Sequence, residues 1–111
     1  MKKIIDHRPW GNFEQYTHNE TTTVKIITVK PNEPLSYQYH NNRDEFWKIL
    51  EGGGKVILND ETFETKPGDE FFIKRGTKHR AIGPLKFLEI SYGNFNENDI
   101  VRVEDKYKRN Q

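Results

Sequence analysis

Apolar residues recur along this chain in short runs of four to eight, separated by clusters of Gly, Pro, Asn and Asp. The period is mostly two, the spacing of a pleated strand. Residues 13–17 alternate weakly and read as a short strand. Residues 22–29 are rich in β-branched side chains and read as a long one, apolar on both faces: Val24 and Ile26 on one, Ile27 and Val29 on the other. Such a strand should be covered on both faces, and the second cover is expected from a partner subunit. Residues 35–40 place Ser36, Gln38 and His40 on one side and Leu35, Tyr37 and Tyr39 on the other. Residues 45–50 put Glu45, Trp47 and Ile49 on a shared face, so Trp47 should line the wall beside whatever Glu45 serves. Residues 55–58 and 62–65 flank Asn59-Asp60-Glu61 as a hairpin. Residues 70–73 and 85–92 complete the series. No long amphipathic helical stripe occurs. The expected fold is all-β: about eight to ten short strands in two facing sheets, like a jelly roll.

Residues 1–12 read as an N-terminal arm broken around Trp10 by Pro9 and Gly11, with Trp10 as a hydrophobic plug. Residues 13–92 form the barrel core. Residues 93–111 are a charged segment expected to pack across the barrel as an edge strand or short helix. Asn32, between Pro31 and Glu33-Pro34, suits a left-handed turn position. Gly52-Gly53-Gly54 is a turn and not a phosphate loop, because no helix and no Lys-Ser/Thr pair follow it.

Composition narrows the function classes. With 111 residues there is room for one core. Ile, Leu, Val and Phe make up about a quarter of the chain, above the level that marks disorder. The formal net charge is +1 and the 18 basic residues are scattered, which argues against a nucleic-acid partner. The absence of cysteine excludes disulfides and thiolate metal sites. Early charges in the first eight residues do not fit a signal-peptide core, and no run approaches membrane-spanning length. The expectation is a cytoplasmic protein with no membrane partner.

The chemistry lies in four residues. Gln38 and His40 share a strand face, Glu45 follows a bend at Asn41–Asp44, and His79 comes after the run 70–73. One amide oxygen, two imidazoles and a carboxylate suit one divalent ion such as Zn, Mn, Fe or Ni. Glu89, in the middle of an apolar strand, is either a solvated outer-face residue or a cavity carboxylate able to act as a base.

The spacing Gln38-x-His40-x4-Glu45-x6-Gly52 resembles the first cupin motif, with Gln in place of its first His. Gly68-x5-Lys74-x-Gly76-x2-His79 resembles the second, with Lys74 where Pro is usual. More narrowly, the chain resembles type II phosphomannose isomerases, cupin domains often fused behind a mannose-1-phosphate guanylyltransferase. The shared stretches are Arg8-Pro9-Trp10-Gly11, Val29-Lys30-Pro31, Leu35-Ser36, Arg43-x-Glu45-x-Trp47, Lys78-His79-Arg80 and Asp99-Ile100-Val101-Arg102, then Glu104-Asp105 and Tyr107. Asn41, Asn42 and Phe46 depart from frequent histidines of that family. The resemblance implies a double-stranded β-helix and a metal-dependent isomerase interconverting mannose 6-phosphate and fructose 6-phosphate. The metal would polarise the carbonyl and a carboxylate or His would take the proton. Within that reading Glu89 and Arg80 are the catalytic candidates, and Arg8, Trp47, Lys74 and Arg102 the substrate-binding ones. The partners expected are a small phosphosugar and a second copy in a homodimer. A non-catalytic metal- or sugar-binding cupin and another cupin enzyme, such as a nucleotide-sugar epimerase, ketoisomerase or dioxygenase, are the alternatives.

Overall fold

A computed structural model describes residues 3–105. Eleven strands and no helix make up its regular structure among those residues. Among the described residues, strands β1 (Ile4–Arg8) and β2 (Gly11–Gln15) pair only with each other. Strands β3 (Thr22–Val29), β10 (Leu85–Tyr92), β5 (Asp44–Glu51) and β8 (Glu70–Ile73) form one antiparallel sheet in that order. The second sheet runs β11 (Val101–Glu104), β4 (Tyr37–Tyr39), β9 (His79–Ile82), β6 (Lys55–Leu58), β7 (Glu61–Glu64). The all-β reading therefore holds. No helix of the described residues is long and apolar enough to cross a membrane.

Local chemistry explains the tight connections. Asn59 and Asp60 have φ of 46° and 70°, so β6 and β7 meet in a two-residue turn with Leu58 opposite Glu61. Both positions of such a turn need positive φ, which Asn and Asp tolerate. Asn32 has φ of 62°, as its sequence context suggested. Gly54 is needed for space: a Cβ there would fall 1.9 Å from the Ile82 carbonyl oxygen.

The core lies between the sheets. Val29, Trp47, Ile49, Ile73, Leu85 and Phe87 come from one and Val56 and Ala81 from the other. This interior changes character along the strands. On β10 the inward residues run Leu85, Phe87, Glu89, Ser91, and on β5 they run Ile49, Trp47, Glu45, with Phe87 opposite Ile49, Glu89 opposite Trp47 and Ser91 opposite Glu45. One end is apolar and the other carries carboxylates. A second cluster on the outer face joins Phe46, Ile90 and Tyr92 to Tyr16 and Leu88. The Tyr92 hydroxyl donates to the Tyr16 carbonyl at 3.0 Å and fixes the chain leaving β2 on that face.

One expectation changes. Trp10 is not a plug: it is 73% exposed, because Pro9-Trp10 is the turn of the β1–β2 hairpin, whose strands pair with neither large sheet. The molecule is accordingly long, 52 × 30 × 21 Å. The outer face of β3 is also uncovered within the chain, with Val24 and Ile26 exposed at the edge of their sheet. The charged segment contributes β11, an edge strand paired with β4. Tyr107 and the rest of that segment lie outside the described residues.

Candidate metal centre

Three strands deliver the site. His40 follows β4, Glu45 is the second residue of β5, and His79 opens β9. One ligand atom from each lies within 4.8 Å of the others, and all three side chains are buried. The turn between His40 and Glu45 is held from outside. The Asp99 carboxylate accepts the Asn41 and Asn42 amides at 2.9 and 3.0 Å.

Hydrogen bonds fix which nitrogens face inward. His40 Nδ1 donates to the Asp99 carbonyl at 2.6 Å, and His79 Nδ1 donates to the Thr77 carbonyl at 2.9 Å. Each imidazole therefore turns an unprotonated Nε2 toward Glu45, at 3.3 Å for His40 and 3.8 Å for His79. Burial holds both histidines below their ordinary pKa, so they are neutral near pH 7. His79 Nε2 is buried with no hydrogen-bond partner among the described residues. A buried, unsatisfied lone pair is costly unless something accepts it. Glu45 takes the Trp47 indole N–H on Oε1 at 3.1 Å and the Arg43 Nε–H on Oε2 at 3.0 Å. Two neutral imidazoles and a carboxylate, each oriented by a further hydrogen bond, are a fitting donor set for a divalent ion. His40, Glu45 and His79 are the residues that would hold it.

Gln38 stands directly opposite His79 on the neighbouring strand, so it shares the site's face. Its Oε1 accepts the Ser36 hydroxyl at 2.6 Å, which leaves one lone pair. Asn42 is exposed. Glu89 points into the interior, which excludes the solvated outer-face reading. Burial, and then the Glu45 charge, push its carboxyl up to about 7, against the opposing pull of Lys25 and Arg43. Trp47 lines the site as its parity required, edge-on to His79 and packed on Phe87.

The basic candidates separate. Arg102 lies opposite Gln38 across β11 and β4, on the site's side of the sheet. Arg80 does not reach the site: it follows His79 on β9 and points to the other face. There its Nε donates to the Leu35 carbonyl and its guanidinium covers the Tyr37 ring. Arg8 pairs with Asp6 and lies over Phe13, all within the β1–β2 hairpin. Lys74 is exposed in the loop after β8. These three placements give Arg80, Arg8 and Lys74 no contact with the buried trio. Sequence reasoning missed the roles of Asp99 and Thr77, whose backbone oxygens set the histidine tautomers. It also met Arg43 only as part of the stretch Arg43-x-Glu45-x-Trp47. Two surface clefts of about 270 and 380 Å³ border Thr28–Lys30, and the trio lines neither.

Comparison with known proteins bears on this geometry. The chain is 38% identical over 106 residues to the mannose-1-phosphate guanylyltransferase 2 of Escherichia coli O157:H7, covering 91% of this chain and 22% of that protein. It is 35% identical over 108 residues to the alginate biosynthesis protein AlgA of Pseudomonas aeruginosa, covering 93% and 22%. The chain thus spans under a quarter of the length of these relatives. Among solved structures, the nucleoside dehydratase Pac13 superposes with a TM-score of 0.70 at 16% identity, over 93% of this chain and 86% of that one, a likeness of fold. The expectation of a mannose-6-phosphate/fructose-6-phosphate isomerase is corrected by these findings, because relatives such as the Escherichia coli protein are named for guanylyl transfer and this chain matches only a cupin portion of them. The family described as Mannose-6-phosphate isomerase C-terminal matches residues 2–105, and by that match and these identities the chain belongs to it.

Proposed function

We propose that the chain is a divalent-metal-binding cupin domain that recognises a mannose phosphate. The observation that carries this reading is the pair of buried histidines with both Nδ1 hydrogens spent on backbone carbonyls and both Nε2 atoms turned on one carboxylate. His40, Glu45 and His79 would hold the ion, with the Gln38 amide oxygen as a fourth ligand. When bound, the ion would supply a Lewis-acid contact for a sugar oxygen. Glu89 faces the same interior and is suited to exchange a hydrogen bond, or a proton, with a sugar hydroxyl near neutral pH. Arg102, on the same side of its sheet, is the cation assigned to the phosphate. The sugar class is taken from the relatives named mannose-1-phosphate guanylyltransferase.

The test is calorimetric titration of mannose 1-phosphate into zinc-loaded and chelator-treated protein. Binding should appear only in the loaded form. Loaded protein that gives no heat with mannose 1-phosphate would refute the ligand assignment. The uncovered Val24 and Ile26 face of β3 is assigned to a second copy of the chain, which makes the unit a homodimer.

A further inference from the structure

Arg43 is almost fully buried, and its guanidinium lies against the donors that a metal would need. Its Nε donates to Glu45 Oε2 at 3.0 Å, and its Nη2 lies 3.3 Å from His40 Nε2. Arginine has donors and no acceptor, so this second contact uses the Nε2 lone pair. That agrees with the tautomer set by Asp99, which leaves Nε2 unprotonated. An imidazole nitrogen has a single in-plane lone pair. It can accept from Arg43 or coordinate an ion, but not both. The outward side of the guanidinium is also held. Nη1 donates to the Asn96 carbonyl at 3.1 Å, and Cζ sits 4.5 Å over the Phe95 ring. A buried carboxylate demands a positive partner. In this arrangement Arg43 is that partner for Glu45.

We propose that Arg43 is a built-in competitor for the metal: it neutralises Glu45 and caps His40 when no ion is bound, and it must release His40 when one enters. This rests on the reading of His40, Glu45 and His79 as ligands. Its way out is toward Phe95 and Asn96, the only outer contacts the guanidinium has besides the site itself among the hydrogen bonds and ring contacts described. The metal-free form therefore keeps a closed, charge-balanced interior. Metal affinity is set partly by the fraction of molecules in which Arg43 has already let go.

The experiment is calorimetric titration of Zn²⁺ alone into metal-free wild-type and Arg43→Gln protein at pH 7. If the open form is about 1–10% populated, removing the competitor should tighten zinc binding about 10- to 100-fold. Wild-type binding with Arg43→Gln no tighter would overturn the competition and leave the metal reading standing. Absence of zinc binding in both proteins would overturn both. A second measurement needs no variant. In wild-type protein carrying ¹⁵N-labelled arginine, the Arg43 Nε–H resonance should be protected from exchange without metal. It should shift at zinc saturation, because the guanidinium turns as Nη2 leaves His40. A resonance unchanged by saturating zinc would show that Arg43 stays in place and would overturn the proposal.

Discussion

Glu89→Gln should remove a pH-dependent cost from the fold. Glu89 is 8% exposed, and burial with the nearby Glu45 charge raises its carboxyl from 4.5 to about 7. At 1.36 kcal/mol per unit, that difference is worth about 3 kcal/mol. The sign follows from which state binds more protons. Between pH 4.5 and 7 the unfolded carboxyl is ionised while the native one keeps its proton, so this group's contribution is full below 4.5 and falls as pH rises to about 7. His40 and His79 act the other way. Their pKa values are depressed on folding, so their contribution is present above the unfolded value of 6.5 and lost as pH falls. Comparing the variant with wild type isolates Glu89 from them. Gln keeps the shape and carries no charge. The assay is urea unfolding of metal-free protein in chelator, from pH 5 to pH 8. The variant should be more stable than wild type by up to about 3 kcal/mol at pH 8, with the gap closing toward pH 5. A gap that stays constant across this range would refute the placement of Glu89 as a protonated interior carboxyl.

Asp99→Ala removes both acceptors from the turn amides and loosens the carbonyl that orients His40. It should cost about 1–3 kcal/mol in urea unfolding and weaken zinc binding roughly tenfold by calorimetry. Gln38→Ala should weaken zinc retention on dialysis, whereas Asn42→Ala, at an exposed position, should retain zinc like wild type. Ile26→Glu places a charge on the uncovered face of β3, and light scattering should show the dimer replaced by a folded monomer.

Much of the fold was legible because the strands carry period-two patterns and the turns carry the right residues. Asn59-Asp60 and Asn32 behave as their backbone preferences dictate. The β1–β2 hairpin was not legible, since Pro9 and Gly11 punctuate it and Trp10 looks like a residue to be buried. Parity would have found one error: His79 and Arg80 are adjacent on a strand, so one of them had to face away from the site. Parity could not orient Glu89. The strand Leu85–Tyr92 is largely apolar on both faces, and the side that faces inward is decided by pairing with β5 and by Tyr16 covering Phe46 on the other side. Nor could it place Asp99 on the turn after His40, a contact made across 58 residues. The trio itself was readable from motif spacing, whereas the hydrogen bonds that set its tautomers depend on tertiary neighbours.

His40, Glu45 and His79 are proposed to form a divalent-metal site. Elemental analysis of wild-type and His79→Ala protein, each loaded with zinc and dialysed, tests it most directly. About one ion per chain is expected in wild type and almost none in His79→Ala. Wild-type protein without zinc, or His79→Ala with as much as wild type, would contradict it.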